Sequence, residues 1–435
     1  MSIELITLVL FVALLIGLML GLPIAFVMGG IGVAASIFLW GPQGLNVTVF
    51  KFYEYMRQPT LIAIPFFILT GYFLERSGIA EELYEMMYRW LGFLRGGLAI
   101  GTVLICTIFA AMTGVTAAAT VTMGIIALPS MLKRNYDKTI AVGTVAGGGT
   151  LGILIPPSVL MVILGTATGV SVGKLFMGGF LSGFVLSALF VGYIVVRSKL
   201  QPQLCPKSET TFGWAEKLRS LRAIILPVLL ILAILGSIFF GIATPTEASG
   251  VGAVGALACV FIHRRFSWQL LKEATTETLK LTSMVLWIIF GSVSFIAVYT
   301  GIGATELVKA TILGLEFNRW FILGGMMFVL FIMGMFIDPG GIILLAAPIF
   351  GPIVKDLGFD QVWFGVLFII MLQIGYLTPP FGYNLFYMRS VCPPSITMED
   401  IYRSVFPFIL LMIVGVVIIM IFPQIALWLP TVMLR

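Results

Sequence analysis

The chain has 435 residues, of which 60% are hydrophobic and 10% charged, with a formal net charge of +6 and a mean hydropathy of +1.12. So little polar surface excludes a soluble globular protein and leaves an integral membrane protein. Lysines and arginines are scattered through connecting segments, which marks cytoplasmic loops rather than contact with nucleic acid.

Apolar spans fall at 4–22, 23–40, 59–76, 97–129, 139–166, 175–197, 223–241, 247–262, 281–299, 320–352, 361–388 and 405–428. A helix needs about 20 residues to cross a ~30 Å hydrocarbon core, and β-barrel strands would be shorter and alternating. The expected fold is therefore an all-α polytopic membrane protein with about 11–12 transmembrane helices, one integral membrane domain over 1–435. The first run, Leu5 to Leu22, lacks a basic flank and leads through Gly21-Leu22-Pro23 into another span, so it reads as a retained helix. Glu75-Arg76, ending the third span, reads as an interfacial pair.

Spans 97–129 and 320–352 are too long for one crossing and too short for two. Each is interrupted centrally, at Thr113-Gly114 and at Asp338-Pro339-Gly340-Gly341, which predicts two re-entrant hairpins, 97–132 and 320–354. Backbone at such a tip finds no partner in lipid, so it is expected to be buried in protein or to line a watery cavity. The segment after each hairpin, 139–166 and 361–388, holds a Pro-Pro pair and predicts a broken helix. Proline lacks an N–H and clashes with the preceding turn, which frees upstream carbonyls to face a cation.

These features recur at one offset. Ser77-Gly78-Ile79, Gly101, Pro129, Asp137, Gly152 and Pro156-Pro157 return as Thr300-Gly301-Ile302, Gly324, Pro352, Asp360, Gly375 and Pro379-Pro380, each 223 residues later. Two repeats follow, 59–166 and 281–389. Paired Gly/Pro interruptions in two halves of an apolar chain point to a secondary transporter whose site lies between broken helices. If the hairpins turn back within the bilayer, an odd number of crossings separates the halves, and the repeats are inverted.

Between the repeats, the connector 197–222 carries Arg197, Lys199, Lys207, Lys217, Arg219 and Arg222 against Glu209 and Glu216, and reads as cytoplasmic. His263-Arg264-Arg265 would share that side. Ser267 to Lys280 suits an amphipathic interfacial helix preceding the span at 281. The four cysteines, Cys106, Cys205, Cys259 and Cys392, lie too far apart to spell a zinc or disulfide framework.

A carboxylate inside the membrane is a functional candidate by default. Asp338 at the second tip is either a cation ligand or an ordinary turn former and helix cap. Glu247 follows Thr244-Pro245-Thr246 at a helix start, where its charge complements the helix dipole, so it reads as structural. Thr113, Thr116, Thr150 and Thr378 place hydroxyl oxygens beside freed carbonyls, hard ligands suited to Na⁺. Arg389, just after the second broken helix, is the one cation positioned to face an anionic substrate. Enzyme readings fail: Gly169-Val170-Ser171-Val172-Gly173 has no strand before it, the sole histidine sits in a basic cluster, and Thr168 to Leu175 lacks phosphate-loop spacing. With ATP excluded, a gradient is left as the energy source.

The chain resembles the large membrane subunit, DctM type, of tripartite ATP-independent periplasmic (TRAP) transporters. The likeness rests on Gly21-Leu22-Pro23-Ile24-Ala25, Ile64 to Gly71, Gly147 to Pro157, Gly241 to Ser249, Gly334 to Gly341 and Gly375 to Asn384, and covers nearly the whole sequence. It implies a multi-pass subunit of the bacterial inner membrane, an elevator-type secondary transporter. Its partners would be a small DctQ-type membrane subunit, a periplasmic DctP-type binding protein that delivers an organic anion, and membrane lipid. No cofactor is implied beyond Na⁺ as coupling ion, and the absence of a membrane-centre proton relay apart from Asp338 agrees with Na⁺. By the same resemblance one Na⁺ site lies at Thr113, Gly114, Val115, Thr116, Gly149 and Gly152, and a second at Gly334, Gly375, Thr378 and Met388, beside which Asp338 is a candidate ligand by its own position at the tip. The substrate carboxylate would sit between them, near Thr150, Pro156, Pro157, Pro379, Pro380 and Arg389. Family members often carry serines at the first tip; here the hydroxyl is kept at Thr113 and Thr116. The rival reading, a stand-alone ion-coupled dicarboxylate carrier of like architecture, would transport without a binding protein.

Overall fold

The computed structural model describes residues 2–207, 210, 212–314 and 317–433; Glu209 of the connector lies outside them. Among these residues the secondary structure is entirely helical. The first half comprises α1 (Ile3–Met19), α2 (Ile24–Trp40), α3 (Leu45–Met56), α4 (Ala63–Arg76), α5 (Ile79–Leu91), α6 (Gly97–Thr113), α7 (Thr116–Lys133), α8 (Lys138–Leu154), α9 (Val159–Thr168) and α10 (Val172–Leu200). A connecting helix follows in three pieces, α11 (Trp214–Ser220), α12 (Ile225–Ile231) and α13 (Ser237–Phe239), continuous through a 3-10 and a π turn. The second half comprises α14 (Pro245–Ile262), α15 (Trp268–Gly301), α16 (Ala304–Leu313), α17 (Arg319–Phe336), α18 (Pro339–Asp356), α19 (Gln361–Leu377), α20 (Tyr383–Val391) and α21 (Met398–Ile421), and α22 (Gln424–Val432) ends the chain.

Element boundaries keep the 223-residue offset: α7 against α18 (116 and 339, 133 and 356) and α8 against α19 (138 and 361, 154 and 377). Local chemistry explains the coincidence. Asp137 caps α8 by accepting from Thr139 N at 2.8 Å, and Asp360 caps α19 by accepting from Val362 N at 2.7 Å. Both helices then stop before a Pro-Pro pair, which cannot supply the N–H groups of another turn. The correspondence reaches beyond the expected limits of 59 and 281, since α2 matches α14 and the α3–α4 pair matches α15.

That last match is imperfect. The first-repeat helix bends by 62° between Met56 and Pro59, whereas α15 runs unbroken for 34 residues. Pro59 forces Gln58 into an extended conformation, ψ 112°, while Thr282 at the related position leaves α15 intact. The separate interfacial helix expected at 267–280 is thereby corrected to the first turns of α15. Arg76 corrects the expected Glu75-Arg76 pair as well: its guanidinium bonds Glu273 on α15.

The repeats exchange partners. Helix α2 packs along α15 and α14 along α4, so each half leans on the other. Glycines set the approach: a Cβ on Gly291 would lie 2.0 Å from the Ala25 carbonyl oxygen, and one on Gly32 2.5 Å from the Ser294 carbonyl carbon. Among the described residues nine helical stretches are long and apolar enough to span a bilayer, ten if the bent pair counts as one, against the 11–12 expected. Helices α1, α2, α6 and α19 fall just short at 17 residues, about 25 Å.

Candidate functional site

Each hairpin is two antiparallel helices joined by a tight turn. At the first tip Gly114 adopts a left-handed φ of +64°, and a Cβ there would stand 1.7 Å from the Pro157 carbonyl oxygen, so the tip presses directly on the break between α8 and α9. Gly152, on the last turn of α8, approaches Thr116 N at 3.4 Å from its notional Cβ, and Gly149 approaches the Thr120 hydroxyl at 2.0 Å. Of the first expected ion cluster, Gly152 is thus brought against Val115 and Thr116, while Gly149, one turn back, packs on Thr120. At the second, Gly334 of α17 and Gly375 of α19 touch backbone to backbone, 2.5 Å from a Cβ on Gly375 to the Gly334 Cα. Thr378 turns its hydroxyl to Ile374 O at 2.7 Å, and Met388 is fully buried.

Both tips open on one cavity of about 290 Å³. Gly114, Val115 and Thr116 line it from the first tip and Asp338, Pro339 and Gly340 from the second. Ile153 and Val159 flank the first break, Tyr376 and Tyr387 the second, and the facing wall is α4 with the 281–288 stretch of α15. Thr113, Gly149, Thr150, Gly152, Gly334, Gly375, Thr378, Met388 and the four prolines Pro156, Pro157, Pro379 and Pro380 do not line it, and Pro380 is exposed. Arg389 does not face it: the side chain is exposed and donates to the Ile396 carbonyl, which removes it from the expected substrate contacts.

Polar groups on the wall are few. Asp338 caps α18, its Oδ2 accepting from Gly340 N at 2.9 Å, so the cap reading holds while the half-buried carboxylate still reaches the cavity. Helix α7 begins at the other tip with no side-chain cap, and the buried Thr116 Oγ1 has no hydrogen-bond partner among the described residues. An uncapped helix start with a free hydroxyl favours an anion. Among the described residues, no lysine or arginine lines the cavity. Glu247 lies elsewhere and completes a capping box with Thr244, whose N–H donates to it at 2.8 Å.

Behind the cavity, buried side chains tie the repeats together. Asn384 of α20 accepts from the Thr120 hydroxyl at 2.7 Å and donates to Ala146 O at 2.8 Å. Gln373 donates to Thr150 Oγ1 at 3.1 Å, and these two positions are themselves 223 residues apart. Sequence reasoning did not single out Gln373, Tyr72, Tyr376 or Tyr387; a polar or phenolic residue next to a Gly/Pro break in an apolar run was the available signal.

Two hairpins and two broken helices around a central cavity, all within a membrane-spanning bundle, define a polytopic membrane transporter. The family model described as "Tripartite ATP-independent periplasmic transporter, DctM component" matches residues 11–425, and the chain belongs to that family. It is 36% identical over 404 residues to the C4-dicarboxylate TRAP transporter large permease protein DctM of Pseudomonas aeruginosa, covering 92% of this chain and 93% of that one. It is 30% identical to the ectoine/5-hydroxyectoine TRAP transporter large permease protein UehC of Ruegeria pomeroyi, over 96% and 97% of the two chains. The isethionate TRAP transporter permease protein DctMQ of Oleidesulfovibrio alaskensis is 32% identical, with 91% of this chain matching 62% of that longer one. Among solved structures the YdaH transporter of Alcanivorax borkumensis shares the fold, with a TM-score of 0.62 over 90% of each chain at 15% identity. The protein is accordingly a multi-pass permease of the bacterial inner membrane.

Proposed function

We propose that this chain imports a small organic anion by sodium-driven secondary transport, receiving it from a periplasmic binding protein of DctP type and working beside a small DctQ-type membrane subunit. The carrying observation is the cavity on which both tips and both breaks converge, with the uncapped start of α7 at its wall. That polarity suits a carboxylate or sulfonate, in keeping with relatives named for C4-dicarboxylates and isethionate. Sodium ions at Thr113–Thr116 with Gly149 and Gly152, and at Gly334, Asp338, Gly375, Thr378 and Met388, would offset the anion's charge. Both hairpins and broken helices would then move as one elevator body past α4 and α15. The Thr120–Asn384 and Thr150–Gln373 bonds support a single moving unit, because they join the repeats within it.

Uptake into proteoliposomes holding this chain and its small partner tests the reading, with and without an imposed Na⁺ gradient and with and without the binding protein loaded with C4-dicarboxylates or isethionate. Uptake that requires both is the expected result; uptake with Na⁺ alone would favour a stand-alone carrier.

A further inference from the structure

Most acidic side chains at the helix ends have a visible task. Asp137, Asp338 and Asp360 cap helices, Glu247 completes a capping box, and Glu273 holds Arg76. Glu75 is different. Its carboxylate makes no hydrogen bond or ion pair among the described residues, and the adjacent Arg76, which could have neutralised it, turns to Glu273 on α15.

Position on the helix decides where that free charge points. Ile68, Gly71, Tyr72 and Glu75 follow the i, i+3, i+4, i+7 spacing of one helical stripe, and all four line a side chamber of about 190 Å³. Val115 and Ala117 of the first tip, together with Tyr387 of α20, close it from the other side. Tyr72, Val115, Ala117 and Tyr387 belong equally to the central cavity, so the chamber adjoins the substrate site. Among the described residues, no basic side chain lines either space.

An unpaired carboxylate facing a largely apolar chamber is costly to hold as an ion, and a cation joining it removes that cost. We propose that Glu75 is a sodium-binding group of the side chamber, a cation site separate from those around the two tips, with the Tyr72 and Tyr387 phenols as neighbouring oxygen donors. Carboxylate and hydroxyl oxygens are the hard ligands such an ion takes. The position related by the repeat is the buried Val298, so the site exists in the first half alone. Because α4 faces the first tip, a sodium ion held there offsets charge where an arriving anion must pass.

The inference rests on the sodium-driven transport proposed above, and one experiment separates the two. Sodium and substrate uptake are measured together in proteoliposomes containing the complete transporter, for the native chain, Glu75→Gln and Glu75→Asp, alongside thermal unfolding in NaCl and in choline chloride. Glu75→Gln is expected to carry one Na⁺ fewer per substrate, with a shallower Na⁺ dependence and a smaller NaCl-specific gain in Tm. Glu75→Asp keeps the charge but shortens its reach, and its half-saturating Na⁺ concentration is expected to rise about tenfold. An unchanged Na⁺ ratio and Na⁺ dependence in both variants would overturn the site while leaving sodium-driven transport standing. Proton flux lost in Glu75→Gln at an unchanged Na⁺ ratio would overturn it too, in favour of a proton. Native uptake indifferent to Na⁺ would sink the transport reading itself.

Discussion

The two hairpin tips share a position in the repeat and almost nothing in chemistry. Thr113-Gly114-Val115-Thr116 corresponds residue by residue to Phe336-Ile337-Asp338-Pro339. The first turns through a left-handed glycine and opens α7 without a side-chain cap; the second stays extended at Ile337, φ −118°, and caps α18 with Asp338. One helix start is therefore left open to an external anion, while the other is already matched by a carboxylate of the chain itself. The backbone plan is duplicated, while the side chains at the tips diverge, as they do again at Glu75 against Val298.

The largest expected effect is at Gly114. Glu, Asp and Thr changes alter one polar group, but Gly114→Ala puts a Cβ 1.7 Å from the Pro157 carbonyl and strains a positive φ, so the tip must leave the break. Loss of about 3 kcal/mol in unfolding free energy and abolished uptake are expected; near-native transport by this variant would show that the first tip does not depend on that contact. Gly375→Ala comes next, since its Cβ meets the Gly334 Cα at 2.5 Å but from a helical backbone that can shift. It should cost about 1–3 kcal/mol and weaken Na⁺ dependence more than the binding protein's delivery, read from uptake at graded Na⁺.

Asn384→Ala should follow closely, because it strips the buried Thr120 hydroxyl of its acceptor, at a cost of about 1–3 kcal/mol seen in the melting temperature. A wild-type Tm would mean that the two repeats are not held together through this residue. Asp338→Asn sharpens the contrast between the tips most directly: it keeps an oxygen for Gly340 N, so Tm should move little, while Na⁺-dependent uptake falls at least about tenfold. Equal uptake by Asp338→Asn, with a lowered Tm for Asp338→Ala, would reduce Asp338 to a cap. Smallest of all, Glu247→Gln on the exposed capping box should leave uptake unchanged.

Much of this arrangement was legible in the chain because it depends on local rules. Asp137 and Asp360 announce helix starts, the Pro-Pro pairs announce helix ends, and a constant 223-residue offset requires both halves to break alike. Even the bend after Met56 was written in Pro59, though its significance shows only against the unbroken α15. The cavity wall was less legible: residues 281–288 of α15 reach it only because α15 packs across the first repeat, and Tyr376 and Tyr387 meet there from opposite sides of a break. Arg389 shows the converse, a cation near the site in sequence whose bond to Ile396 turns it away.

What the sequence by itself determined is the membrane class, the duplicated plan, and the places where helices must stop, since hydropathy, caps and proline act over a few residues. Which groups remain free was decided only by the tertiary structure. Arg76 could have neutralised Glu75 but reached Glu273 across α15, and Thr116 began a helix with nothing to bond. A side chain's partners lie hundreds of residues away once the repeats exchange helices, and no local rule records them.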